Sequence, residues 1–298
     1  MASILGLLPA QAFAMSVGQT ASSWLGDQYV GSDGNHYRAP APYTYLAYHA
    51  DGTIDVHTSS GGNAYRHYML TDSDGISHQV YCVESGIPYH TSENTYVSES
   101  GTNSQYLNLL PAEARRGITL TAIYGWKPGA TLPVSGINED DYKMATQIIL
   151  WEYQQQLRND PYSRHGNGHA SADQYYSVIA GRPAERAYNW ILEQVASHST
   201  VPSFTSTKKS EAPELELKWD TDKKVYTLTV TDTNNLKINL ETLKGSGVSV
   251  TRNGNKYTFT SKNMIADPVT FEFRKDIPVA NDMLISVSYT HLTLPTIA

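Results

Sequence analysis

Cysteine is nearly missing from this chain: Cys82 is the only one in 298 residues. No intramolecular disulfide can hold the fold, and no cysteine cluster can build a zinc site. Long apolar runs are missing too. The longest opens the chain, from Ile4 to Ala14, and falls short of the roughly 20 residues a membrane span needs. Positive charge is in deficit, with a net charge of -7 and a pI near 5.8, which argues against nucleic acid or an anionic membrane as partner. Phenylalanine is scarce at 5 copies, against 21 tyrosines. Tyrosine with Thr, Ser and Gly in short alternating runs is the composition of β-rich extracellular proteins.

The opening run ends in Ala12-Phe13-Ala14, the small-x-small pattern of a signal-peptidase site. Residues 1–14 thus read as an export leader whose basic start is missing, a truncated signal peptide. At the other end, Ser288-Tyr289-Thr290-His291-Leu292-Thr293-Leu294-Pro295-Thr296 resembles translated adapter sequence. Residues 286–298 are set aside as an artefact tail, and any cell-wall anchor would be lost with the true C-terminus.

Between these ends the pattern changes twice. Up to about residue 110, alternating stretches such as Thr53–His57, Tyr65–Leu70 and His78–Val83 predict short strands joined by Gly, Asp and Asn turns. Three helices follow: a short one at Leu110–Arg116 with Pro111 in its first turn, a longer one from Asp140 to Leu157, and a third from Pro183 to Ala196. Ser197 to Pro213 breaks the pattern with Ser, Thr, Pro and Lys. Strict alternation then returns in Leu215–Trp219, Val225–Val230, Val248–Val250 and Tyr257–Phe259, which predicts a small antiparallel β-sandwich of Ig-like type.

A lone cysteine is often a buried hydrophobe. In an exported protein it also suggests an intermolecular disulfide, a reactive thiol or a Cys-His pair, with His78 and His90 nearest in sequence. The helix from Asp140 bears on the choice. Its apolar residues appear on nearly every side, so it should be buried, and Gln147 falls between Leu150 and Trp151 on the helical wheel. An unpaired buried amide costs about 1–3 kcal/mol, so Gln147 is either part of a polar network or chemically used. The pair His165 and His169 sits in a glycine loop, and nothing completes a metal site there.

These segments together resemble the thioester domains of Gram-positive surface adhesins. The likeness runs through Tyr81-Cys82-Val83-Glu84, then Leu110-Pro111 with Arg115-Arg116-Gly117-Ile118-Thr119, then Thr146-Gln147-Ile148-Ile149-Leu150-Trp151, then Ala187–Leu192 before the exit Val201-Pro202-Ser203-Phe204. It covers residues 20 to 204. One position departs: Ile149 stands where the family's Thr-Gln-x-Ala motif has alanine.

The resemblance implies an α+β fold, with a β-rich barrel or sandwich carrying Cys82, a helical subdomain carrying Gln147, and the Ig-like sandwich following. The expected domains are 15–204 for the thioester domain, 205–213 for a linker and 214–285 for a stalk. It also implies that the Cys82 sulfur and the Gln147 side-chain carbonyl join as an internal thioester with loss of ammonia. No metal or cofactor takes part. A lysine amine, or another nucleophile, on a host surface or matrix protein would then attack Gln147 and expel Cys82. This would be single-turnover capture by a secreted, wall-attached adhesin, not enzyme turnover. Tyr81, Glu84, Trp126, Thr146, Trp151 and Tyr153 are the candidates to line and shield the bond, each open to an ordinary core role. Two rivals stand beside this reading. One is a non-covalent binding module, for carbohydrate or protein, with Cys82 merely buried. The other is a Cys-dependent hydrolase or transferase, which would need a histidine.

Overall fold

The alternating stretches of the first hundred residues become strands in the computed structural model. The structure describes residues 3–6, 15–39, 41–49, 53–60, 64–83, 95–100, 104–158, 160–165, 172–206, 208–236, 238–244, 247–267, 270–275 and 284–288. Two units result: Met1–Ala196 with Val279–Ala298, and Ser197–Pro278.

The strands of the first unit are β1 (Ser3–Gly6), β2 (Thr20–Gln28), β3 (Tyr43–Tyr48), β4 (Ile54–Ser59), β5 (Arg66–Asp72), β6 (Ser77–Cys82) and β7 (Thr95–Ser100). Its helices are α1 (Gln105–Leu109), α2 (Ala112–Tyr124), α3 (Glu139–Gln154), α4 (Ala172–Tyr176) and α5 (Ala184–Ser197). The second unit holds β8 (Lys218–Asp220), β9 (Val225–Thr231), β10 (Ile238–Lys244), β11 (Ser249–Asn253), β12 (Lys256–Ser261) and β13 (Glu272–Lys275). Then β14 (Leu284–Ser288) returns to the first.

In the first unit six antiparallel strands run in the order β1-β14-β7-β2-β5-β6, and pairing of β1 with β6 closes the sheet on itself. Both ends of the chain enter it, through Ser3–Gly6 and through a strand that reaches Ser288. β3 and β4 form a separate hairpin. Strands and helices mix in one unit, an α+β arrangement.

α3 is the axis of the helical part. A capping box starts it: the Asn138 side chain accepts from the Asp141 N–H at 2.9 Å, and the Asp141 carboxylate accepts from the Asn138 N–H at 2.8 Å. Three acidic residues in the first turn suit the helix dipole. Every residue from Asp141 to Gln154 is buried. The helix stops before the expected Leu157, because Gln156 takes a left-handed φ of 54° that no helix continues through.

α2 outruns the short helix expected from Leu110 to Arg116. Gly117 does not end it; Gly117 is where the Tyr153 ring of α3 crosses, so close that a methyl group there would overlap the ring. Gly125, at the end of α2, meets Thr146 in the same way. Two glycines thus set how near α2 approaches the middle of α3.

The second unit has a four-stranded antiparallel sheet, β11-β12-β9-β8, and a β10-β13 pair. Alternation along β12 puts Tyr257 and Phe259 inside, against Phe204 and Val248. No helix among the described residues is long and apolar enough to cross a membrane.

Candidate functional site

Cys82 is the last residue of β6 and is 4% exposed; Gln147, in the middle of α3, is 0% exposed. Their meeting is a two-point hydrogen bond. The Cys82 N–H donates to Gln147 Oε1 at 3.0 Å, and Gln147 Nε2 donates to the Cys82 carbonyl at 2.6 Å. The carboxamide therefore occupies the place a neighbouring strand would take at Cys82. Both bonds go to the main chain, so the side-chain carbon of Gln147 is held beside the residue that carries the thiol.

Two side chains next to this pair converge on Trp126. The Tyr81 hydroxyl donates to the Trp126 carbonyl at 3.0 Å, and the Trp126 N–H donates to Thr146 Oγ1 at 3.0 Å. Thr146 passes its own proton back to the Tyr142 carbonyl at 2.8 Å. The residues preceding Cys82 and Gln147 are thereby tied through one tryptophan. Its indole is buried and lies under the Lys143 ammonium, 4.3 Å from the ring centre. Lys143, 6% exposed, is balanced by Glu139 and Asp140, each at 3.4 Å.

Burial would raise the Asp140 carboxyl. The His67 imidazole at 3.2 Å, the Val30 N–H and Lys143 outweigh it and hold the group below its ordinary range. Tyr81 is pushed well up by burial and stays a phenol.

Trp151 is buried one helical turn beyond Gln147 and packs on Tyr65 and Tyr175 at ring separations of 5.4 and 5.9 Å. Tyr153 packs on Gly117 and belongs to the α2–α3 crossing. Ile149 is fully buried. His78 is committed elsewhere: its ring is 2.7 Å from Asp72, four residues up the strand from Cys82, about 13 Å by strand rise. Glu84 and His90 lie outside the described residues, as does the loop from Gly166 to His169. Among the described residues, no group of three or more His, Cys, Asp or Glu is placed to hold a metal ion.

Sequence reasoning missed several members. Tyr106 donates to the Val83 carbonyl at 2.8 Å and fixes the chain just past Cys82. Gln155 grips Leu46 of β3 in the manner of Gln147: its Oε1 accepts from the Leu46 N–H at 2.5 Å, and its Nε2 donates to the Leu46 carbonyl at 2.9 Å. Gln174 makes the same pair of bonds to Thr44, at 3.4 and 2.5 Å. Only the run of glutamines at 154–156 could have flagged this.

A family model described as thioester domain matches residues 79–197. The match begins in β6, contains both Cys82 and Gln147, and ends with α5. No curated protein and no solved structure matches the chain.

Proposed function

With residues 79–197 matching the thioester-domain family, we infer that this protein is a surface adhesin module that captures an amine covalently through a Cys82–Gln147 thioester. The observation that carries this reading is the Gln147 carboxamide, fully buried and bonded at both ends to the main chain of the only cysteine.

The chemistry follows from that arrangement. The Cys82 thiol, as its thiolate, attacks the Gln147 side-chain carbon. The C–N bond breaks and ammonia leaves with the thiol proton, so thiol and amide become thioester and ammonia. Negative charge builds on Oε1 during attack, and the Cys82 N–H, 3.0 Å away, is the donor that meets it. Held geometry replaces a costly encounter. The buried aromatic residues Tyr81, Trp126 and Trp151 keep water from hydrolysing the product.

In the second step, a lysine amine of a host surface or matrix protein attacks the same carbon. A C–N bond forms, the C–S bond breaks with its electron pair on sulfur, and a proton from nitrogen ends on Cys82. At pH 7 a free lysine is neutral in roughly one molecule per two thousand. Docking and local deprotonation therefore set the selectivity. Each molecule acts once. In this reading the thioester domain is the exported capture module, and the strands of the second unit, β8 to β13, form an Ig-like stalk.

Gln155 supports a second reading. The same two-point grip on Leu46, where no thiol is present, is purely structural. If Gln147 does only this, the module binds without a covalent bond. Intact mass separates the two. A mature chain short by one ammonia, raised by one methylamine on treatment and restored to full mass in Cys82→Ala, supports the thioester. A full, unreactive mass leaves the non-covalent module.

A further inference from the structure

We propose that the Tyr68 hydroxyl donates a hydrogen bond to the Cys82 sulfur as that sulfur leaves Gln147. The inference rests on the thioester reading and adds a residue that the resemblance does not supply. When the amine attacks, the C–S pair stays on sulfur before the proton arrives from nitrogen. A thiolate in an apolar site is poorly solvated and a poor leaving group. Something in the wall must meet it.

Strand register brings Tyr68 to that place. In the β5–β6 ladder Tyr68 pairs with Val80. Val80 and Cys82 are two residues apart on β6, so their side chains share a face, and Tyr68 stands on that face diagonal to Cys82. Diagonal neighbours lie about 7–8 Å apart at the backbone, within reach of an aromatic side chain. Packing agrees: Tyr68 lies against the core cluster that contains Cys82 and against the one that contains Val80.

The phenol is also kept in its protonated form. Burial is the main cause, and charge on Cys82 raises it further, as do the phenols of Tyr65, Tyr29 and Tyr43. A group that stays a phenol beside a forming thiolate can only donate. Tyr81, the residue before Cys82, alternates to the other face of β6 and donates to the Trp126 carbonyl.

The test has two arms. In the first, the rate of methylamine incorporation is followed by intact mass in wild type, Tyr68→Phe and Tyr96→Phe. Tyr96→Phe removes a buried hydroxyl from β7. Tyr68→Phe should slow incorporation by about 100-fold, the usual cost of one lost donor at a site of developing charge, with Tyr96→Phe near wild type.

The second arm does not need the thioester. In Gln147→Ala the thiol is open, and the pH profile of Cys82 alkylation should move to higher pH when Tyr68→Phe is added. Unchanged profiles together with unchanged methylamine rates overturn the role of Tyr68 while a wild-type mass short by one ammonia leaves the thioester standing. A wild type at full mass removes both.

Discussion

The side chain of Gln155 is bonded to both main-chain groups of Leu46, across 109 residues of sequence, just as that of Gln147 is bonded to Cys82. α3 and its C-cap thus hold two different strands by the same device. The two sites differ in the strand residue, an aliphatic side chain in one and a thiol in the other. Replacing each glutamine separates structure from chemistry. Gln155→Ala should cost about 1–3 kcal/mol of stability by leaving buried main-chain groups unpaired, with the mass still short by one ammonia. Gln147→Ala should abolish the mass deficit and, measured against Cys82→Ala, which keeps the carboxamide, should cost a similar amount. Denaturant melts with intact mass on both variants check this.

Thr146 joins α3 to Trp126. Thr146→Val keeps the shape and removes the acceptor for the Trp126 N–H. The expected loss is about 1–3 kcal/mol, with faster hydrolysis of the bond as the tryptophan loosens. Thr146→Ser should recover most of both. Urea midpoints and the decay of methylamine reactivity on storage measure the two effects.

Gly117 offers a test in which the sign is set by competing magnitudes. In a free helix Gly→Ala stabilises by about 1 kcal/mol. Here the added methyl overlaps the Tyr153 ring, and overpacking costs about 1–3 kcal/mol. Gly117→Ala should therefore destabilise, against helix propensity, as a thermal melt would register.

The Arg158–Glu152–Tyr188 cluster is fully internal. Arg158 Nε lies 3.0 Å from Glu152, Tyr188 donates to the same carboxylate at 2.8 Å, and Arg158 also bonds the Tyr188 hydroxyl. Burial drives the Glu152 carboxyl upward despite these partners. Removing the cation strands a buried carboxylate, so Arg158→Met should cost about 3–5 kcal/mol. Glu152→Gln, which leaves the buried Arg158 guanidinium without its counter-charge, should cost a comparable amount, reduced only by the hydrogen bonds the carboxamide keeps. Chemical denaturation of the pair decides it.

Asp140 gives a pH dependence with a definite sign. Its carboxyl is held below the ordinary value of 3.8 by His67, the Val30 N–H and Lys143, against burial. A depressed carboxyl contributes stability that is present above its unfolded pKa and is lost as pH falls through the folded one. Stability should drop below about pH 4, and less steeply in Asp140→Asn. Denaturant midpoints across pH 2 to 6 would trace the curve.

Some of this was legible from residues alone. The alternation around Cys82 gives β6, the all-round apolar pattern gives a buried α3, and the spacing of Ala187, Tyr188, Ile191, Leu192 and Val195 gives the buried face of α5. The length of α2 was not, because the value of Gly117 depends on a ring that comes from α3. Nor were the grips of Gln155 and Gln174, whose partners are 109 and 130 residues away and are main-chain groups that carry no signature in sequence. Local pattern records which face of an element is apolar. It does not record which backbone a polar side chain will meet.

The grip of Gln147 on Cys82 also has a stereochemical consequence. A primary carboxamide offers the strand its oxygen and the hydrogen on the same side as that oxygen. In a secondary amide of the ordinary trans form, that side of the nitrogen carries the substituent instead. On the proposed function, a lysine joined to Gln147 therefore could not sit as the glutamine does. The linked side chain must swing off β6, or adopt a cis amide at a cost of about 2.5 kcal/mol. Ammonia, which simply rebuilds glutamine, carries no substituent and meets neither demand. In the thioester reading, capture and reversal are thus unequal in shape as well as in chemistry: the product geometry would move the new bond away from the sulfur that could undo it.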